Sequence, residues 1–427
     1  MTSRLTTIKF FEPKHTGYVC VGAVMIVSWI MRLISFRYGE WGQLDWNGMG
    51  ITEFLINFQG GFVRRGLIGE ILFQITSYTG VSPYWIIISI CLLCYVFVLV
   101  FFFRQFGKRN LIWWLILSPF LCGTCDSIIR KDYLCYVIII AEMYILRNNV
   151  SSLTQCWLAA LLAIMGLFAH EAFMFFGIPM TFLIIYRYKE GKFYRYLPMV
   201  FILASFILLS YFKGDIQIAN RIIDSWNRLL PNSPLLYGSG NSIGALGWTT
   251  KYALSKHIPI NFLFKSSFTE HLRWLGFIWR ALFYIASFYF ISNFLQVFKF
   301  KSNINDEDRY NIATLYIFSS ICLLPLFLGL SCDYGRIYQY AWISTFIPFL
   351  LFPRDFISKT FGSRFMKICR HASDRLNNII RPNRVIMIIF LLCFAEYYYG
   401  LDPIHEFFST PLGYILVFIK RTGLLCI

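Results

Sequence analysis

Long apolar runs recur along almost the whole chain, separated by short loops that hold most of its lysine and arginine, and this alternation limits the fold before any motif is considered. A helix needs about 20 apolar residues to cross the hydrocarbon core of a bilayer. Windows approaching that character lie at 17–35, 83–103, 111–125, 133–147, 156–170, 172–187, 196–212, 274–296, 311–330, 338–352 and 384–400. Residues are 57% hydrophobic and only 14% charged, too few polar side chains to clothe a water-facing globule, which usually carries about a quarter charged residues. The expectation is an all-α fold, a single polytopic transmembrane helical bundle over residues 1–427, with about eleven spans.

The net charge of +17 does not by itself point to nucleic acid, because the bases sit in loops and not in patches interleaved with exposed aromatics. Most of the twelve cysteines lie inside apolar runs without paired CxxC spacing, so neither a zinc site nor a disulfide framework is expected. The apolar stretch after Arg4, Lys9 and Lys14 has no small-residue cleavage site and reads as a retained first span.

Basic residues occupy alternate loops, at 4–14, 104–109, 147, 187–195, 299–309 and 354–384. The positive-inside rule makes those loops and the N-terminus cytoplasmic. Acidic residues gather on the opposite side, among them Asp45, Glu53, Glu70, Asp126, Asp132, Glu171 and Asp333, interspersed with Arg64, Arg65, Arg130, Lys131 and Arg336. Two outer loops are long. The loop at 36–82 contains a stretch from Phe54 to Ile75 that is too polar to span and too apolar to lie free in water, and interfacial or re-entrant helices are expected there. The loop at 213–273 is broken by Pro231, Pro234 and Gly238.

Four constellations on the outer side could carry chemistry. In the first, Gly60-Gly61-Phe62-Val63-Arg64-Arg65-Gly66, glycines permit close backbone approach and adjacent guanidinium forks suit a phosphate or pyrophosphate; the plain alternative is a basic interfacial helix touching lipid headgroups. The second, Asp126 to Asp132, crowds Asp126, Arg130, Lys131 and Asp132 into a tight hairpin, where mutual pairing and substrate binding are equally good explanations. The third sets His170 beside Glu171 between apolar stretches; it lacks the second histidine of HExxH, which disfavours a zinc protease. In the fourth, Asp333, Tyr334 and Arg336 combine ring faces with hydroxyl- and anion-binding groups, as a sugar or phosphate would require, or as an interfacial salt-bridged loop would. No Walker A, GxSxG or GxGxxG stretch is present. An outward-facing enzyme therefore needs a donor that arrives in the membrane, such as a sugar on a polyprenyl phosphate.

A basic N-terminus, one span, a long outer loop with an early acidic residue, and many later spans with outward polar motifs resemble the membrane glycosyltransferases of the GT-C type. Within them the layout is similar to bacterial enzymes of O-antigen, lipopolysaccharide and other surface-glycan assembly in the inner membrane. The resemblance implies a polyprenyl-phosphate-linked donor, a lipid-linked or surface-glycan acceptor, and a general base in the first outer loop. Asp45 matches that position, with Glu53 and Glu70 as fallbacks. His170 and Glu171 join them as catalytic candidates; Arg64, Arg65, Arg130, Lys131 and Arg336 are candidates for the phosphate, and Asp126, Asp132, Asp333 and Tyr334 for the sugar or acceptor. No cofactor is expected, and the sequence offers no support for a divalent metal. Two alternatives remain: a polysaccharide polymerase, favoured only by Arg221, Arg228 and Arg273 in the second long loop, and a transporter or flippase, which would place more charge at mid-span than Arg32, Glu142 and Arg280.

Overall fold

The structure is a computed structural model that describes residues 16–23, 25, 26, 48–118, 129–148, 153–188, 196–231, 306–327 and 334–379, with short pieces at 242–247 and 383–386 and a few single positions. Every regular element among them is helical, as expected for an all-α chain. Helices α1 (Gly48–Phe54) and α2 (Gly66–Thr79) lie in the first long loop, followed by α3 (Pro83–Lys108). The chain continues through α4 (Lys131–Asn148), α5 (Leu153–Ala169), the single turn α6 (Phe173–Phe176), α7 (Ile178–Tyr188), α8 (Leu197–Tyr211) and α9 (Ile216–Asn227). The last four are α10 (Asp306–Pro325), α11 (Tyr334–Leu351), α12 (Arg354–Phe361) and α13 (Ser363–Ile379).

Among the described residues one helix, α3, is by itself long and apolar enough to cross a membrane. A second candidate is the pair α8 and α9, bent by 92° at the break between them. Other windows are shorter or carry charge at their ends: α4 opens on Lys131-Asp132 and α10 on Asp306-Glu307-Asp308. Two windows depart from an unbroken span. Residues Ile112–Leu117 form a 3-10 helix, and the window at 172–187 is divided at Gly177. There the Phe173 ring sits where side chains on Gly166 and Gly177 would otherwise project, so both positions exclude a Cβ. The windows at 274–296 and 384–400 lie almost wholly outside the described residues.

Two cores organise the fold. The larger one joins α3, α4, α5, α7, α10 and α11. Its densest part is aromatic: Phe346 stands 4.3 Å from Trp342 and 5.4 Å from Phe106, ring centre to ring centre. Ala159, Ala160, Ala163 and Gly166 line the buried side of α5, small residues that let neighbouring helices approach closely. The smaller core packs α1 and α2 on α9 around Phe54, Ile56, Leu72, Ile222 and Trp226. The Trp226 indole donates to the Leu55 carbonyl at 2.6 Å, which ties α9 to the end of α1. A Cβ on Gly69 would run into the backbone carbonyl of Ile56, so α2 can lie against α1 only with glycine at that position. From Gly48 onward the 36–82 segment is thus largely helical, and Ile71, Ile75 and Tyr78 of α2 are exposed.

The long helices run alternately between two ends of the bundle. At one end Arg109 donates to the carbonyls of Leu350 and Phe352, and Arg187 to that of Thr360, so cations cap the C-termini of α11 and α12. Arg354 grips Asp308 there through two bonds of 2.6 Å. The start of α4, the end of α5 and the start of α11 meet at the other end, under the loop that joins α1 to α2.

Candidate functional site

The meeting point of these helix ends is a buried charge cluster assembled from four separate stretches of sequence. Its backbone anchor is Arg65, which adopts the left-handed conformation (φ 65°) just before α2. A side chain other than glycine pays for that conformation by about 1–2 kcal/mol. The site compensates: Lys131 Nζ donates to the Arg65 carbonyl at 2.9 Å, and the preceding Arg64 N–H donates to the Phe212 carbonyl at 3.0 Å. The turn therefore aims both arginines inward from opposite sides of one peptide.

Arg65 is committed on three nitrogens. Nη1 reaches Glu53 Oε1 at 2.9 Å, while Nε and Nη2 hold Glu171 Oε2 and Oε1 at 2.6 and 2.5 Å in a bidentate fork. Arg64 touches Glu171 more loosely, with Nη1 at 3.3 Å from Oε1. His170 lies between the acids, its Nδ1 accepting the Ala172 N–H at 3.1 Å. That bond puts the ring proton on Nε2, which points to Glu53 Oε1 at 3.3 Å. Arg336 Nη2 also approaches Nε2, at 3.2 Å, but two donors make no hydrogen bond there; its real partner is Asp132 Oδ1 at 2.8 Å. Asp132 Oδ1 receives the Tyr340 hydroxyl as well, at 2.5 Å, and the Tyr340 ring is stacked on Phe176 at 4.1 Å.

Four cations, Arg64, Arg65, Lys131 and Arg336, thus face three carboxylates, Glu53, Asp132 and Glu171, leaving one positive charge in excess with His170 neutral. Glu53, Lys131, Asp132 and His170 are at most 4% exposed, whereas the Arg64 side chain is 35% exposed and Glu171 22%, so the cluster opens toward Arg64. Two buried atoms of the cluster have no hydrogen-bond partner: Glu53 Oε2, which can only accept, and Arg64 Nε, which can only donate. A ligand that satisfies both carries a hydrogen-bond donor and an acceptor.

Burial alone would raise the Glu53 carboxyl, but the surrounding cations, Arg65 first and then Arg336 and Lys131, outweigh it and hold the group below the ordinary glutamate value of 4.5. Glu171 is likewise opposed by burial and pulled well below 4.5 by Arg65 and Arg64. Burial disfavours the Arg65 cation, yet Glu171 and Glu53 more than restore it. The sign of the linkage follows: acids depressed in the folded state contribute stability that is complete above pH 4.5 and is lost as pH falls toward their folded values. Thermal melts of the detergent-solubilised chain should therefore drop steeply below that pH, and Glu171→Gln should flatten the drop. Parallel acid profiles for wild type and variant would contradict the ion-pair account.

The structure brings together Glu53, Arg64, Arg65, Lys131, Asp132, His170, Glu171 and Arg336 from the sequence-derived candidates. Glu70 stands apart: its Oε2 accepts the Phe58 N–H at 3.0 Å, and its Oε1 accepts from Gln59 and Gln74 at 2.8 and 2.7 Å, so it shapes the glycine turn and does not face the cluster. Arg130 forms no ion pair with the cluster among the described residues; its carbonyl faces the Cys91 thiol at 4.0 Å. Asp45, Asp126 and Asp333 lie outside the described residues, as does the side chain of Tyr334. Tyr340 was missed from sequence, although its i,i+4 spacing from Arg336 on one helix face was the available signal. No group of three metal-ligating side chains is assembled among the described residues; the carboxylates here are engaged by cations. No family model, curated protein or solved structure matches this chain.

Proposed function

We propose that this chain is a multi-pass glycosyltransferase of a bacterial inner membrane, with about eleven spans and a cytoplasmic N-terminus, that moves a sugar from a polyprenyl-phosphate donor to a lipid-linked or surface-glycan acceptor on the outer face. The observation that carries this reading is the buried, net-positive cluster in which one carboxylate oxygen, Glu53 Oε2, is left without a partner. An acceptor hydroxyl donating to that oxygen loses its proton to Glu53 as its oxygen bonds to the sugar's anomeric carbon. The bond from that carbon to the phosphate oxygen breaks, and the electron pair leaves with the polyprenyl phosphate. Arg64 is the better placed of the two arginines to receive the departing charge, because Arg65 is saturated by Glu53 and Glu171 while Arg64 Nε is unpartnered. His170, with its proton directed to Glu53, orients the base, while Tyr340 and Arg336 hold Asp132 beside it.

The topology draws support from the opposite end of the bundle, where Arg109, Arg187 and Arg354 engage helix ends away from the cluster. Glu53 takes the role of base in this proposal because its Oε2 is unpartnered within the cluster. The full-length chain in proteoliposomes should transfer radiolabelled sugar from a polyprenyl-phosphate donor to a glycan acceptor, and should not accumulate free sugar inside the vesicles. Uptake without transfer would replace the enzyme with a transporter. Joining of whole lipid-linked glycan units in place of single sugars would favour the polymerase, the reading that the arginines of the 213–273 loop support.

A further inference from the structure

At the end of the bundle opposite the charge cluster, α13 has a surface that the transfer reaction does not use. Its inward side buries Cys369 and Ser373 and packs Phe365, Met366 and Leu376 on the larger core. Its one acidic residue, Asp374, is 44% exposed at the edge of this face but is already engaged: Arg309 lies 3.6 Å away and the Tyr310 hydroxyl donates to it at 3.1 Å. Arg370 is also occupied, with its guanidinium 4.4 Å from the centre of the Tyr310 ring. The outward side is different in kind. Arg364, Lys367, Ile368, His371, Arg375 and Ile379 are all exposed and recur at helical spacing on one face, a stripe about 22 Å long at 1.5 Å per residue. No acid pairs with Arg364, Lys367 or Arg375 among the described residues, and Ile368 and Ile379 are 65% and 77% exposed.

We infer that this stripe is a docking surface for anionic phospholipid headgroups, with Ile368 and Ile379 seated at the acyl boundary. Three unpaired cations on one face complement a negative lipid surface, and aliphatic side chains between them gain by entering the interface. Nucleic acid fits less well, since single strands are held by stacking on several aromatic rings and the stripe offers only the His371 imidazole. The location agrees: α12, which leads into α13, is tied by Arg187 and Arg354 to the bundle end where the other basic helix caps lie. The turn between the two helices is made by Gly362 (φ 74°), where a Cβ would also meet the Arg187 guanidinium.

Hydrogen exchange tests the inference on the full-length chain in nanodiscs of phosphatidylcholine, with or without phosphatidylglycerol. Peptides over 363–379 should exchange about tenfold more slowly in the anionic discs, and high salt should remove the difference. The triple variant Arg364→Gln/Lys367→Gln/Arg375→Gln should exchange alike in both discs, with α10 peptides unchanged as the check that the packed side of α13 is intact. Ile368→Asn should keep the salt dependence and lose part of the protection. Equal exchange of the wild-type helix in the two discs overturns the inference. So does equal protection by a soluble polyanion in neutral discs, which would make the stripe a general anion surface.

Discussion

Arg65→Met is expected to be the most destabilising substitution in the cluster, lowering the stability of the detergent-solubilised chain by about 3–5 kcal/mol. Removal of this one guanidinium leaves Glu53 with a 3.3 Å contact to neutral His170 and Glu171 with only the loose approach of Arg64. The strained backbone remains, because methionine is no better suited than arginine to a φ of 65°. A double-mutant cycle separates charge from packing: Arg65→Met/Glu171→Gln should recover a substantial part of the loss, since it removes one of the two stranded carboxylates. Additive losses would mean that Arg65 acts mainly through its stem, and an unchanged melting profile would mean that the ion pairs are not formed in solution.

On the proposed transferase reading, Glu53→Gln should have the opposite profile, a chain that still folds but transfers sugar about 10²- to 10⁴-fold more slowly, the range that a general base supplies. The amide keeps an oxygen for Arg65 and fills the same space, yet cannot take a proton from an acceptor hydroxyl. It leaves a further uncompensated positive charge in the cluster, so a modest stability loss is expected beside the catalytic one. Asp45→Asn is the informative companion. If it abolishes transfer while Glu53→Gln does not, the base is Asp45 and the Glu53 environment is structural. Arg64→Gln should lower the rate through the leaving group and leave the Glu53–Arg65 contact in place.

Much of the scaffold could be read from periodicity and apolar length, because burying a helix in lipid or in neighbouring helices imposes local composition. The window at 83–103 became Pro83–Lys108, 156–170 became Leu153–Ala169, and 196–212 became Leu197–Tyr211, each within a few residues. Two runs are less regular than their apolar character suggests: 172–187 is divided at Gly177, and Ile112–Leu117 winds as a 3-10 helix. Hydrophobicity reports burial but says nothing about how tightly a turn is wound.

The list of charged candidates was a matter of sequence as well; the choice among them was not. Glu53 and Glu70 look interchangeable along the chain, both acids flanking the same glycine-rich turn. One is 2% exposed against Arg65 and His170, and the other holds the turn from outside. Arg64 and Arg65 are neighbours, but the left-handed peptide between α1 and α2 sends one into saturated ion pairs and leaves the other with a free nitrogen. Composition and spacing determined that this chain is helical and that acids and cationic companions share the segments between its apolar runs, since those properties depend on each residue and its near neighbours. Which charges share a buried space depends on contacts between positions 53, 65, 131, 170 and 336, and electrostatics at such separations in sequence is decided only when the helices pack.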